Sequence, residues 1–368
     1  MRIEKRLALL LFNSNKAMNK PFLTILFTAV FLVLTSLSDV KTAILSEGRQ
    51  PQIGVDGKGV VRVIFGLQDE IFCTTSNDQG TTFGKPVLVA KVAGMHLGMS
   101  RGPQIASSDK YSVITAMDKA GNIHWFRLNN SSGEWKNMGV VNDLKGSAPE
   151  GLMGLTADKK DNFYAVWLDT RTGEHNQVYF SSLSGRALNW SANILAYRSP
   201  EGHVCECCKP NIAVQGATVA IMFRNWLDGS RDLYLLKSPD RGKSFATAQK
   251  LGTDTWKLNG CPMDGGGIVV GQSGIIRTTW QRKGVVYYAE PGKPENYIAK
   301  GRECNVTETD DNKAVLTYQV NDTVKLIRAE NKSPLVIGEG GFLKSVVLKD
   351  HKILCVWEQD NKIKYKKI

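Results

Sequence analysis

The sequence predicts an all-β fold, a closed ring of four-stranded sheets, on three observations. The first is an apolar alternation that ends in a large residue, at 61–65, 113–117, 163–167, 219–223, 276–280, 314–318 and 353–357. The large terminal residues (Phe65, Met117, Trp167, Phe223, Trp280, Tyr318 and Trp357) recur about every 40 to 57 positions, the repeat expected of propeller blades. The second is the pattern on either side. A polar or glycine-rich turn follows each segment and leads to a third strand, as at 123–126, 178–180, 233–236, 286–288 and 324–326. The third lies at the chain ends, where the last unit has only three strands and 42–47 supplies the missing one.

A first strand precedes each alternation, at 51–55, 102–106, 151–157, 210–214, 266–270, 304–307 and 342–348. That makes seven units. Pairing the two termini in one blade removes the exposed sheet edge that an open ring would leave. The reading is therefore a seven-bladed β-propeller; a six-bladed ring follows if the two C-terminal units merge. A pair of β-sandwiches would explain the strands but not the even period.

Composition agrees with a globular chain: 42% hydrophobic and 22% charged, with 35 glycines for tight turns. The formal net charge is +12, yet no run of lysine or arginine forms an arm, so nucleic acid is not an expected partner. The scattered charge fits either an ordinary basic surface or a preference for an anionic ligand. No Walker-type loop, dinucleotide fingerprint, Ser-His-Asp signature or His-Glu-x-x-His motif is present.

The first residues read as a targeting segment. Met18-Asn19-Lys20-Pro21 precedes an apolar run at 22–34, and Thr35-Ser36-Leu37-Ser38-Asp39 follows. A short basic region, a short apolar core and small residues before the cut predict a secretory signal over 1–38 (or starting at Met18), cleaved after Ser38. An uncleaved anchor is the alternative, although the run is short for a membrane span. Residues 39–368 then form one domain, a monomer exported to the periplasm or beyond, with no membrane span after cleavage. In such an oxidising compartment its cysteines are read first as disulfides.

Two segments share the pattern Ser-x-Asp-x-Gly-x-Ser/Thr-aromatic. They are Ser76-Asn77-Asp78-Gln79-Gly80-Thr81-Thr82-Phe83 and Ser238-Pro239-Asp240-Arg241-Gly242-Lys243-Ser244-Phe245. Each falls between a third and a fourth strand. The aspartate can accept bonds from its own turn, the glycine permits positive φ, and the aromatic packs between sheets. Segments 129–135 and 181–190 look like decayed copies. With these boxes in phase with the repeat, the chain resembles the Asp-box (BNR repeat) propellers, the superfamily that contains the sialidases, over residues from about 42 to the C-terminus. That resemblance implies three arginines on a substrate carboxylate, a tyrosine nucleophile activated by a glutamate, and an aspartate as acid/base. The family's aromatic-Arg-Ile/Leu-Pro motif has only an echo in Gly48-Arg49-Gln50-Pro51, and no motif places the tyrosine–glutamate pair.

Propeller connectivity sets which loops meet. Segments leading into first strands and turns from second to third strands share one face, the upper; the Asp-box turns lie on the lower. The upper face collects Arg101, Arg171, Arg224, Arg231 and Arg282, which can clamp a carboxylate, sulfate or phosphate or instead form structural ion pairs. Asp169, Asp232, Asp264 and Glu150 are the candidate acids or bases there. His203, Cys205, Cys207, Cys208, Cys261 and Cys304 reach the same face. One reading makes these cysteines disulfides that staple neighbouring loops. Another makes a soft-ligand site for copper or zinc, and the Cys-x-Cys-Cys spacing matches no zinc-finger pattern. Cys73 and Cys355 fall within strands and read as core residues.

Three functions remain in view. The first is an exported sialidase-like protein that binds, and by the resemblance hydrolyses, an anionic glycan. The second is a non-catalytic propeller whose Cys/His/Met cluster holds a metal or a redox-active disulfide. The third is a scaffold for protein partners.

Overall fold

Residues 42–368, apart from 174 and 332, are described by the computed structural model; the expected signal, 1–38, lies outside them. The described residues form 28 strands in seven antiparallel sheets of four, with no helix. None of them forms a helix long and apolar enough to cross a membrane.

Strand β1 (Ala43–Glu47) belongs to the last blade. Blade 1 is β2 (Arg49–Val55), β3 (Val61–Leu67), β4 (Glu70–Ser76) and β5 (Val87–Lys91). Blade 2 is β6 (Gln104–Ser107), β7 (Tyr111–Met117), β8 (Ile123–Asn129) and β9 (Trp135–Val140). Blade 3 is β10 (Met153–Ala157), β11 (Asn162–Asp169), β12 (Gln177–Ser184) and β13 (Ile194–Tyr197). Blade 4 is β14 (Asn211–Gln215), β15 (Thr218–Arg224), β16 (Leu233–Ser238) and β17 (Gln249–Lys250). Blade 5 is β18 (Gly267–Val270), β19 (Ile276–Arg282), β20 (Val285–Ala289) and β21 (Asn296–Lys300). Blade 6 is β22 (Arg302–Glu308), β23 (Ala314–Val320), β24 (Thr323–Arg328) and β25 (Leu335–Glu339). Blade 7 is β26 (Gly341–Val347), β27 (Ile353–Gln359) and β28 (Lys362–Lys367), completed by β1.

The closing pair aligns Ala43 with Tyr365 and Glu47 with Lys362. Each first strand touches the first strand of the next blade around the whole ring, so β2, β6, β10, β14, β18, β22 and β26 line the axis. Seven blades and the terminal closure thus stand as the repeat predicts.

Apolar clusters occupy the seven blade-to-blade contacts. Trp125 and Met117 of blade 2 meet Phe163 and Trp167 of blade 3, and Phe65 of blade 1 meets Leu354 and Val356 of blade 7. All seven large residues that end the second strands are at most 2% exposed. Each such aromatic contributes on the order of 2–3 kcal/mol of burial. The second strands are therefore buried on both faces, which makes the repeat readable. Cys73 sits in the contact between blades 1 and 2 and Cys355 in that between blades 6 and 7, so their thiols face different cores. Burial pushes them up to about 11 and about 12.

Both Asp-box turns fold alike. The amide of Gly80 donates to Ser76 Oγ at 2.7 Å, and that of Thr82 donates to Asp78 Oδ1 at 2.9 Å. In the second box Gly242 N donates to Ser238 Oγ at 2.8 Å and Ser244 N to Asp240 Oδ1 at 2.9 Å. The bonds from Ser244 and Ser238 hold the Asp240 carboxyl down at about 2. Phe83 meets Tyr365 of blade 7 edge-on at 4.9 Å, and Phe245 meets Phe180 of blade 3 at 5.2 Å. In segment 181–190, Trp190 likewise packs edge-on against Trp125 of the preceding blade at 6.0 Å.

The two box glycines differ in what surrounds them. A Cβ on Gly242 (φ +82) would stand 2.2 Å from the Phe180 ring, whereas one on Gly80 (φ +74) would meet Leu354 at 3.2 Å. Gly242→Ala is therefore expected to cost about 2–4 kcal/mol, from left-handed strain plus overpacking, and Gly80→Ala about 1–2 kcal/mol. Paired urea denaturation curves read the difference, and equal costs would refute the account.

Candidate functional site

Six of the seventeen described non-glycine residues with positive φ stand where the chain leads into its innermost strands. Gln50 (φ 54), Met99 (φ 51), Ser100 (φ 63), Met263 (φ 51), Glu303 (φ 52) and Phe342 (φ 55) are all left-handed and none is glycine. Three of them sit at bulges where β2, β22 and β26 begin: the register slips between Arg49 and Gln52, Arg302 and Asn305, and Gly341 and Lys344. A bulge re-aims its side chain, and strain of this kind collects at functional sites.

Below the mouth lies a polar cluster drawn from five blades, with Gln104, Lys209 and Asp264 buried and the rest half-buried. Ser100 Oγ donates to Glu303 Oε2 at 3.0 Å. Asp264 accepts from the amides of Gly266 and Glu303, each at 2.9 Å. Lys209 Nζ donates to Gln104 Oε1 at 2.6 Å, and Lys344 Nζ to Asn305 Oδ1 at 3.4 Å. These residues and Asn211, apart from Gln104, surround a cavity of about 20 Å³. Burial pushes the Glu303 carboxyl up to about 7, helped by the charge of Asp264. Burial also brings Lys209 down to about 7, helped by Lys344, and lowers Lys344 itself.

Wider pockets open above this cluster. One of about 410 Å³ is acidic, with Glu303, Asp322, Glu339, Glu358 and Asp360 around Arg302. Another of about 440 Å³ is basic, with Arg49, Arg101 and Lys119 beside His96 and Glu150. Arg49 bridges to Glu358 at 3.0 Å.

The five predicted arginines do not converge. Arg224 is 1% exposed, and its guanidinium donates to the backbone carbonyls of Asp264, Arg231 and Gln281. Arg171 pairs with Asp169 at 2.9 Å and with Asp143. Arg282 pairs with Glu295 and with Asp254 at 3.2 Å. Arg101 holds the Glu150 carbonyl and lies 3.4 Å from its carboxylate. Arg231 bonds Cys205 Sγ and the Leu258 carbonyl. Such guanidinium groups fix loops in place, the second of the two roles that the sequence left open for them. Among the predicted acids, Asp169 is fully buried on Ser147, Trp167 and Arg171. Asp232 accepts from Trp256 N and lies 3.4 Å from Lys250. Only Asp264 reaches the axial cluster.

The predicted cysteine cluster is largely assembled. Cys207 and Cys261 form a disulfide between the loops leading into blades 4 and 5. Cys205 Sγ lies 3.5 Å from Cys208 Sγ and 3.7 Å from Cys207 Sγ. The hydrogen bond with Cys208, opposed by burial and aided by Arg231 and Arg224, brings the Cys205 thiol down to about 6. Arg231 Nη1 sits 3.0 Å from Cys205 Sγ, with its guanidinium 4.5 Å over the Trp226 ring. His203 stacks on Trp226 at 5.8 Å and lies tilted against His175 at 5.0 Å, and its ring nitrogens are not part of the close group of three sulfurs. Cys304 is separate, buried in the core between blades 5 and 6. Three sulfurs close together suit copper or zinc, but the disulfide occupies one of them, so a metal would need Cys207 reduced.

Sequence reasoning passed over Lys209 and Lys344 as site residues. Both stand within or just before an innermost strand, a position that other residues use to face the blade cores, so position alone gave no signal.

The sequence matches no known family profile and no curated protein. Solved structures similar to this chain include YCF48 bound to D1 peptide (TM-score 0.56, 9% identity, 89% of this chain and 96% of that one). A protein of unknown function from Dyadobacter fermentans DSM 18053 gives 0.51 at 12% identity, with 89% and 97% covered. The NanB sialidase from Streptococcus pneumoniae gives 0.46 at 14% identity, with 96% and 73% covered. Likeness at these identities shows the propeller fold alone, and a score below 0.5 carries no argument about chemistry.

Glu303 gives the site a pH signature. Its folded value lies above the ordinary 4.5, so the folded chain keeps a proton that the unfolded chain has released. Stability contributed by this group therefore falls as pH rises from about 4.5 to about 7, by up to about 1.4 kcal/mol per unit. Glu303→Gln removes that slope. Denaturation at pH 5 and 7.5 should show the wild type losing about 2 kcal/mol more than the variant; parallel profiles would refute the assignment.

Proposed function

We propose that this chain binds an anionic glycan at the upper mouth of the axis, as a sialidase-like Asp-box propeller. One observation carries the reading: Lys209, which is buried, and Lys344, which is half-buried, line one small cavity, are bonded to amide oxygens and form no direct ion pair with a carboxylate among the described residues. Two ammonium groups drawn out of water beside the single carboxylate Asp264 and a protonated Glu303 are only partly compensated, and an incoming anion relieves the remaining cost. With Glu303 protonated the cluster carries net positive charge, which favours an anion further.

Size separates the parts of the ligand. A cavity of about 20 Å³ admits a group no larger than one water, such as an oxygen of a carboxylate or sulfate. The sugar ring then occupies the acidic pocket of about 410 Å³, where Glu358, Asp322 and Gln319 can accept hydroxyl hydrogens. Glu303 lines both spaces. A carboxyl raised to about 7 is suited to general acid catalysis at neutral pH, so a second reading adds cleavage of the glycosidic bond, with Glu303 as acid and Asp264 beside it.

Isothermal titration with sialylated, uronate-containing, sulfated and neutral oligosaccharides tests binding. Anionic sugars should bind and neutral ones should not, and Lys344→Met should weaken binding at least tenfold while the protein still melts cooperatively. Equal affinity for neutral and anionic sugars would overturn the proposal, as would unchanged affinity in both Lys344→Met and Lys209→Met. Turnover of a fluorogenic sialic acid glycoside, abolished by Glu303→Gln, would establish the catalytic reading. Arg224→Ala is a poor probe, since it removes a buried network and reports on folding.

A further inference from the structure

The sulfur cluster on the blade 4 rim lies outside the ligand reading and carries chemistry of its own. Four of the seven cysteines stand in it as one disulfide and one free pair. Cys261 is exposed, whereas Cys205 and Cys208 are buried at 0% and 1% exposure. The free sulfurs sit 3.5 Å apart, in Cys-x-x-Cys spacing, and both lie within 4.0 Å of the disulfide sulfur of Cys207.

We propose that these four cysteines form a two-electron thiol–disulfide relay, in which the exposed Cys207–Cys261 bond exchanges with outside thiols and the buried Cys205/Cys208 pair stores the electrons. Arg231, 3.0 Å from Cys205 Sγ and held flat against Trp226, supplies the positive charge that a thiolate nucleophile needs. In the first step Cys205 thiolate attacks Cys207 Sγ. A Cys205–Cys207 bond forms, the Cys207–Cys261 bond breaks, and Cys261 leaves as a thiolate that takes a proton from solvent. In the second step Cys208, its proton released to solvent, attacks Cys205 Sγ. A Cys205–Cys208 bond forms and Cys207 leaves as a thiolate. Two electrons have passed from Cys205/Cys208 to Cys207/Cys261, and the number of disulfides is unchanged. The exposed dithiol then reduces a disulfide of a partner protein or small molecule. An outside dithiol recharges the pair: it reduces the Cys207–Cys261 bond, becoming a disulfide itself, and the two steps run backwards then carry the electrons to Cys205 and Cys208.

The arrangement differs from a pair of inert staples in one respect. A staple isolates its disulfide from other sulfurs, whereas here the attacking sulfur is already in contact with the bond it would break. It differs from a metal site in that Cys207 is held by Cys261 and the ring nitrogens of His203 are not part of the close group of sulfurs.

Iodoacetamide trapping of the purified full chain, followed by disulfide peptide mapping without reductant, tests the relay. In wild type, Cys261 should become labelled while a Cys205–Cys208 disulfide appears. Cys205→Ser should slow Cys261 labelling at least tenfold. Cys208→Ser should still label Cys261 but stop at the Cys205–Cys207 disulfide, a product that a misfolded protein would not give selectively. The relay is overturned if Cys261 labels equally in wild type and Cys205→Ser. Two locked disulfides that resist mild dithiol would overturn it as well, and so would stoichiometric zinc or copper released on labelling.

Discussion

Ring closure is the constraint on which everything else rests. The pairing of Ala43–Glu47 with Lys362–Lys367 gives blade 7 its fourth strand and leaves no blade with an open flank. Leu45 of this strand also packs against the core between blades 7 and 1. The effect of closure reaches the axis. Ser100, Lys209, Asp264, Glu303 and Lys344 come from or lead into five different blades, and nothing local in the chain brings them together. They meet because seven first strands are forced around one centre.

Features set by local pattern were the ones legible in the sequence. Second strands are buried on both faces and end in a large side chain, so their alternation and spacing announce each blade; the short terminal unit even announces the closure. The Asp-box turns were legible for the same reason, because every bond in them is made within a few residues. Partners across the ring were not. Arg224 looks like a ligand contact from its residue type and place, yet its guanidinium finds three backbone carbonyls that only the assembled loops present. Likewise, cysteine spacing alone could not choose Cys261 over Cys304 as the partner of Cys207, since connectivity is a property of loop heights rather than of sequence. Lys209 hid beside the more conspicuous cysteines.

The upper face carries two chemistries at two radii. At the axis, burial brings Glu303 up and Lys209 down, each to about 7, and lowers Lys344 as well, a setting for exchanging protons and holding charge. At the rim of blade 4, a guanidinium and an aromatic stack hold a sulfur against a disulfide. Arg224 links them physically: its side chain grips the Asp264 carbonyl near the axis, and its own carbonyl accepts from Cys205 N. The left-handed residues around the mouth are the conformational cost of aiming these groups inward.

Closure also sets a clock on biosynthesis. Ala43 and Tyr365 are about 320 residues apart and share a ladder. As the polypeptide leaves the ribosome, blades 1 to 6 can collapse in order, each against its predecessor, yet β1 must wait for almost the whole chain. At a synthesis rate of roughly 5–20 residues per second, that strand stays without its partner for tens of seconds. During this interval the nascent chain is an incomplete arc with a bare edge at its leading end, the state in which a chaperone or a translocation channel would meet it.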